Sequence, residues 1–366
     1  MITTSHHDAR SRLFLSNFDF EDELASPHSA QSAAARRRNN ELGFAWLGVA
    51  APGDAILVEQ LPDEDLDAAL RTLDREGVRL VRSVDELDRG LLVTPWGWEP
   101  RIYDWARASG FDVTSPPLEV VRQVNSRTWS YGFEEQLHCG LAGQLICHSL
   151  REAQQVAATL PRWLFKADFG AAGRERFAGH GPMTAHAAAW VDKRLARDGA
   201  ICIEPFVERV AEVGIQWQLP AGAEEPTLIG VVPLLTDARG QYCGSIISRT
   251  GIDDWQDAVT ISREAALRIQ SLGYFGPLGI DAMRYRDGEG ALRLRPLQDV
   301  NARWTMGRLA LGWGDRLPNS GSPVVFRCGA MPSHSTTQPG ESTSYCISPA
   351  RLGGQPVHHA FFLDNE

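Results

Sequence analysis

Residues 295–307 read RPLQDVNARWTMG, an apolar-flanked run in which Asp299, Asn301 and Arg303 stand at every second position. In a strand, side chains i, i+2 and i+4 share a face, so these three would project into one cleft. Two hard oxygen ligands beside one cation are the inventory for Mg²⁺ carrying a phosphate, with an arginine on the group being transferred. The same spacing also suits a polar strand end, where Asn and Asp form a turn and Arg is solvated. The segments upstream decide between the two.

Immediately before it, LGIDAMRYR (278–286) and ALRLRPLQDVN (291–301) flank a DGEG turn (287–290) and read as a β-hairpin. If the loop occupies 288–292, Asp281 lies across from Asp299. With a tighter turn it faces about Pro296, and a bulge near that proline absorbs the difference. Either register brings two carboxylates and an amide together, which favours the metal reading.

Two further stretches supply what a nucleotide needs. In RWLFKADFGAAGRERFAGHG (162–181) an apolar strand carrying Lys166 runs into a loop of small residues, Gly170, Ala171, Ala172 and Gly173. Small residues let backbone N–H groups approach an anion, and Lys166 adds a point charge beside them. The spacing is not GxxxxGK[ST], so this is no Walker loop. A hairpin with a flexible tip is the plain alternative. In ICIEPFVERVAEVGIQW (201–217) a strand breaks at Glu204-Pro205, because proline cannot donate to a ladder, and then resumes. A planar base fits against such a hinge through main-chain groups near Phe206 and Val207. The carboxylates of Glu204, Glu208 or Glu212 would take amine and hydroxyl groups, and spacing does not choose among them.

From Phe44 to Pro117 short apolar runs alternate with helical patterns: AILVEQL (55–61), a helix over 63–77, VRLVRS (78–83), LLVTPWGW (91–98), a helix over 99–110. That alternation predicts an α/β class with an open, mostly parallel sheet, and no GxGxxG follows its first strand. Arg36, Arg37 and Arg38 read as a solvated helix face. Helices are predicted over 118–137, 149–161, 183–199 and 257–273, and strands over 227–237 and 242–249. After Leu311 the chain turns rich in Gly, Pro and Ser and reads as a loop-rich extension.

Composition narrows the function classes. With 366 residues the chain exceeds the roughly 250–300 at which a single core stops growing, so two or three subdomains are expected. A net charge of −10 argues against a nucleic-acid partner, which needs a basic footprint. No apolar run reaches the ~18 residues of a membrane span, and a cytoplasmic location is expected. Six cysteines without a CxxC pair suggest neither zinc nor a disulfide framework.

The ordered set of parts resembles the ATP-grasp superfamily of ATP-dependent ligases over about residues 118–310. VNSR (124–127), WLFKADFGAAG, IEPFVERVAE, GID (279–281) and DVNAR (299–303) carry the resemblance. It implies a pre-ATP-grasp-like α/β domain over 1–117 and an ATP-grasp region over 118–312, whose two lobes hold ATP between them. The mobile lid lobe would span about 124–204 and the metal-binding lobe about 205–312, followed by the extension at 313–366. Arg127 stands where a lysine is more common, and Asp299 where glutamate is usual. The resemblance implies ATP with Mg²⁺, or Mn²⁺ in its place, on Asp281, Asp299 and Asn301. Lys166 and Arg303 would act on the transferring phosphoryl group, Arg249 on the phosphate or an acceptor carboxylate, and Glu208 or Glu212 on the ribose. The implied reaction activates the carboxylate of a small molecule or peptide as an acyl phosphate and joins it to an amine or thiol; a homodimer is compatible with it. A kinase acting on a hydroxyl and a non-catalytic nucleotide-binding module are the competing readings.

Overall fold

The computed structural model describes residues 10–63, 70–71, 75–85, 87–170, 175–237, 240–247, 253–314, 323–330 and 345–365. The predicted helix over 63–77 lies mostly outside them.

The first sheet is all parallel. Its strands β1 (Arg12–Leu15), β2 (Ala55–Leu57), β3 (Arg79–Val81) and β4 (Leu92–Pro95) are ordered β3-β2-β1-β4. Leu13, Phe14 and Leu15 are buried, as a strand covered on both faces requires. Helices α1 (Phe20–Ala25), α2 (Ala33–Leu42) and α3 (Pro100–Ala108) pack around it.

The predicted helix over 118–137 is two helices, α4 (Leu118–Val124) and α5 (Arg127–Gln136). The break has a chemical cause. The Asn125 side chain donates to Val121 O at 2.7 Å and accepts from the Ala302 N–H at 2.9 Å, while Ser126 caps the next helix by accepting from the Trp129 N–H. The VNSR turn is thereby stitched to the loop that follows Asn301.

A second sheet holds β5 (Leu145–Cys147), β6 (Arg162–Ala167), β7 (Arg176–His180) and β8 (Ile201–Pro205), in the order β5-β8-β6-β7 and antiparallel throughout. Helices α6 (Leu150–Thr159) and α7 (Ala185–Asp198) cover it, and Gly199 closes the latter at φ 78°, a left-handed value that suits glycine. This layer has its own core, centred on Trp163, Phe165, Val191 and Ile203. Each such side chain stabilises the lobe by roughly 1.5–3 kcal/mol.

The largest sheet begins with β9 (Glu208–Leu219), β10 (Thr227–Thr236) and β11 (Tyr242–Ile247). Helix α8 (Gln256–Ser271) precedes β12 (Gly276–Arg286) and β13 (Leu292–Asn301). After α9 (Met306–Gly314) come β14 (Val324–Gly329), β15 (Tyr345–Cys346), a small hairpin of β16 (Arg351–Leu352) and β17 (Gln355–Pro356), and β18 (Ala360–Asn365). The order is β13-β12-β9-β10-β11-β14-β18-β15, so the strands of the C-terminal stretch extend this sheet at one edge. A continuous core joins it to the first sheet through Trp46, Trp313 and Phe326. No described helix is long and apolar enough to cross a membrane.

Candidate active site

In the hairpin of the opening motif Asp281 lies across from Asp299, as the longer loop predicted. From Arg286↔Leu292 to Met283↔Arg295 the strands pair around a loop at 287–291; a bulge then gives Asp281↔Asp299 and Gly279↔Asn301. The shift falls at Pro296, which lacks the N–H a regular ladder needs. Asn301 Nδ2 donates to Asp281 Oδ2 at 3.3 Å. Gly279 leaves room for Thr305, whose methyl carbon would sit 2.5 Å from any Cβ there. Burial, then the nearby charges of Asp299 and Glu212, push the Asp281 carboxyl up to about 7. A carboxyl whose pKa is raised by neighbouring carboxylates is relieved by a cation. Among the described residues no group of three or more His, Cys, Asp or Glu could hold a metal by itself. Two carboxylates and an amide oxygen nevertheless suit Mg²⁺, which is usually bound through one or two carboxylates with phosphate and water completing its shell.

Arg303 follows the strand rather than continuing it, and its fork is already engaged. Nε donates to Glu21 Oε1 at 2.6 Å, Nη1 to Trp304 O at 2.9 Å and Nη2 to Asn301 Oδ1 at 2.9 Å, with the guanidinium over the Trp96 ring. Arg303, expected on a transferring phosphoryl group, lines the cavity and in this structure bridges Glu21 to Asn301, which in turn bonds Asp281.

Lys166 also has a partner. Its Nζ lies 2.8 Å from Glu204 Oε1, while Glu204 Oε2 accepts from Tyr131 OH at 2.5 Å and from Arg295 Nη1 at 2.8 Å. Arg295, fully buried, also forms a bidentate pair with Glu134 at 2.6 and 2.7 Å. Burial alone would raise the Glu204 pKa, but Lys166 and Arg295 outweigh it and hold it at about 2. Burial lowers the Lys166 pKa, and Glu204 opposes that shift. Glu204, weighed in the sequence as an acceptor for a base amine, here serves as counter-ion to Lys166 and Arg295. The Phe206 N–H donates to Arg162 O, the Phe206 ring is stacked by Arg162 at 4.2 Å, and Phe206, Val207 and Glu208 stay outside the main cavity. Of the three glutamates weighed, Glu212 alone lines it, accepting from Gln298 Nε2 at 3.0 Å and from Arg209.

That cavity, about 230 Å³, opens between the three sheets and gathers Arg127, Lys166, Glu212, Asp281, Asp299, Asn301 and Arg303. Arg127 donates to Ala167 O at 2.6 Å and Gly170 O at 2.7 Å and reaches Asp299 at 3.4 Å, so Gly170 offers its carbonyl to a side chain. Burial disfavours the Arg127 charge and Asp299 more than restores it. Ala171, Ala172, Gly173 and Arg249 lie outside the described residues.

Sequence reading missed two cations here. Arg176 is the cross-strand partner of Lys166 on the β6–β7 hairpin, and Arg209 projects from β9; both line the cavity. Burial, then Arg209, lower the Arg176 pKa, and among the described residues the Arg176 side chain makes no hydrogen bond or ion pair. Like charges directly opposite on a hairpin are destabilising unless an anion lies between them. Counting the hairpin register about 171 would have paired Lys166 with Arg176. Arg38, expected on a solvated face, lines the cavity as well, 18% exposed and 3.9 Å from Asp22.

No protein-family model matches the sequence, and no curated protein matches it. Solved structures do. N5-carboxyaminoimidazole synthetase of Staphylococcus aureus, complexed with ADP, is 10% identical at TM-score 0.54, covering 97% of this chain and 92% of that one. The biotin carboxylase domain of the Hydrogenobacter thermophilus 2-oxoglutarate carboxylase, in complex with MgADP, ADP and bicarbonate, is 12% identical at TM-score 0.57, covering 98% and 87%. Phosphoribosylamine–glycine ligase of Thermotoga maritima is 13% identical at TM-score 0.57, covering 96% and 91%. These are ATP-grasp proteins, and the chain has the ATP-grasp fold.

Proposed function

We propose that the protein is an ATP- and Mg²⁺-dependent ligase that activates a carboxylate and joins it to an amine. One observation carries this reading: Arg127, Lys166, Arg176 and Arg209 meet the Asp281, Asp299 and Asn301 cluster across a single cavity. The cations suit a triphosphate, and the two carboxylates suit the Mg²⁺, or Mn²⁺, that accompanies it. ADP and MgADP in complexes of the same fold add support.

In this reading phosphoryl transfer is mainly a matter of position and charge. The substrate carboxylate attacks the γ-phosphorus and ADP leaves; the cations at Arg127, Lys166 and Arg176 neutralise the charge that spreads over the phosphoryl oxygens. The amine then attacks the acyl carbon, a C–N bond forms, the C–O bond to phosphate breaks, and the nitrogen loses its proton. No Ser or Cys nucleophile is needed. The lid hairpin β6–β7, with its own core, suits exclusion of water from the hydrolysable acyl phosphate.

The test is ADP release measured across a panel of carboxylates and amines, with products identified by mass. Release that needs both substrates and yields an amide supports the ligase. A phosphorylated hydroxyl would replace it with a kinase, and a thermal midpoint indifferent to saturating Mg²⁺–ATP would remove the nucleotide site altogether.

A further inference from the structure

One end of the cavity lining, built on the first sheet and its helices, comes from residues that the steps above do not use. Phe18, Leu42 and Trp96, all buried, form with Met306 an apolar wall, the Phe18 and Trp96 rings packing at 4.4 Å. Two opposite charges border it. Glu21, 6% exposed, gives Oε1 to Arg303, whereas Oε2 has no partner among the described residues. Open to the cavity and without a donor, this oxygen can accept from an N–H of a bound molecule. Arg38, on the neighbouring helix α2, presents a guanidinium to the same space. Contacts run from Glu21 to Arg303 (2.6 Å), to Asn301 (2.9 Å), to Asp281 (3.3 Å), so a group on Glu21 stands beside the cluster proposed for the metal.

Resting on the ligase reading, we infer that this end takes the amine substrate as an apolar α-amino acid. Its ammonium sits on Glu21 Oε2, its carboxylate on Arg38 and its side chain against Phe18, Leu42 and Trp96. An acid–base pair separated by apolar surface matches a zwitterion with an apolar side chain, and planar Arg recognises carboxylate well. Glu21 first takes a proton from the ammonium, which frees the nitrogen lone pair; the lone pair then attacks the acyl carbon, the C–N bond forms, the C–O bond breaks, and the departing phosphate carries off the nitrogen's second proton.

Calorimetric titration tests this with L-phenylalanine, L-leucine, L-glutamate, L-lysine and phenethylamine, each with and without Mg²⁺ and a non-hydrolysable ATP analogue; the analogue is also titrated alone. The expected result is binding of phenylalanine and leucine at least tenfold tighter than of glutamate, lysine or phenethylamine. In Arg38→Met, phenylalanine should fall to the level of phenethylamine, whose own affinity stays the same. A merely structural arginine would weaken both equally, and that outcome overturns the assignment, as does glutamate binding as well as phenylalanine. Analogue binding with no response to any amino acid also overturns it and leaves the nucleotide site standing. Phenylalanine binding without analogue binding supports the pocket and removes the nucleotide reading.

Discussion

Two clusters of charge meet at Lys166, and they differ in how completely their members are paired. In the inner cluster Glu134, Arg295, Glu204 and Tyr131 exchange short hydrogen bonds, and every acid faces a cation. In the outer one Asp281 faces Asp299 across a hairpin and Arg176 faces Lys166 across another, like charge against like. A saturated network serves the architecture: it ties β8 of the second sheet and α5 to β13 of the largest sheet. The outer one is less completely paired: Asp299 meets Arg127 only at 3.4 Å, and Asp281 accepts from the Asn301 amide at 3.3 Å. Pairing, rather than the number of charged residues, separates a structural ion cluster from a binding site.

The largest effect should come from breaking the saturated cluster. Arg295→Met leaves Glu134 and Glu204 buried without their shared cation and should cost about 3–5 kcal/mol, read from the urea midpoint. A loss near zero would mean the inner cluster is not structural. Lys166→Met touches both clusters. Turnover should fall by about 100-fold or more (~2.7 kcal/mol in the barrier), with a smaller loss of stability because Arg295 and Tyr131 still hold Glu204. Unchanged turnover would place Lys166 wholly in the inner cluster.

Asp299→Asn belongs to the outer cluster alone. It should shift the Mg²⁺ dependence of turnover upward about tenfold, ~1.4 kcal/mol, with nucleotide affinity in EDTA unaltered. An unshifted Mg²⁺ midpoint would return the opening motif to an ordinary strand end. Protons should compete with the metal at Asp281. Its folded pKa of about 7 lies above the 3.8 of an unperturbed Asp, so without metal its contribution to stability is full below about pH 4 and is lost as pH rises through 7. Mg²⁺ affinity should run the other way, rising by up to about tenfold per pH unit towards 7, and Asp281→Asn should flatten it. Glu204, held at about 2, contributes in the opposite sense: that stability is present above about pH 4.5 and is lost as pH falls towards 2. The smallest effect is expected at Glu208→Gln, outside the cavity, within ~0.5 kcal/mol of wild type in stability and equal in turnover. Glu212→Gln should differ from it by weakening nucleotide binding.

The sequence by itself determined what depends on local order. Alternating apolar runs and helical periods marked the parallel first sheet, and the strand ends carrying Lys166, Asp281, Asp299 and Asn301 could be found because strand alternation and turn chemistry act over a few residues. A bulge near Pro296 was one of two alternatives the sequence left open, and the structure has its register shift there. Only the tertiary structure decided how those residues are paired. Glu204 looked like a ligand for a base until Arg295, 91 positions away, closed on it, and Arg303 looked free until Glu21, 282 positions away, took its guanidinium. Glu21 and Arg38 carried no local signal at all, because their place in the cavity comes from docking the first sheet and its helices against a hairpin near the other end of the chain. Ionic pairing is set by distance in space and by desolvation, and neither is written in the spacing of residues along a chain.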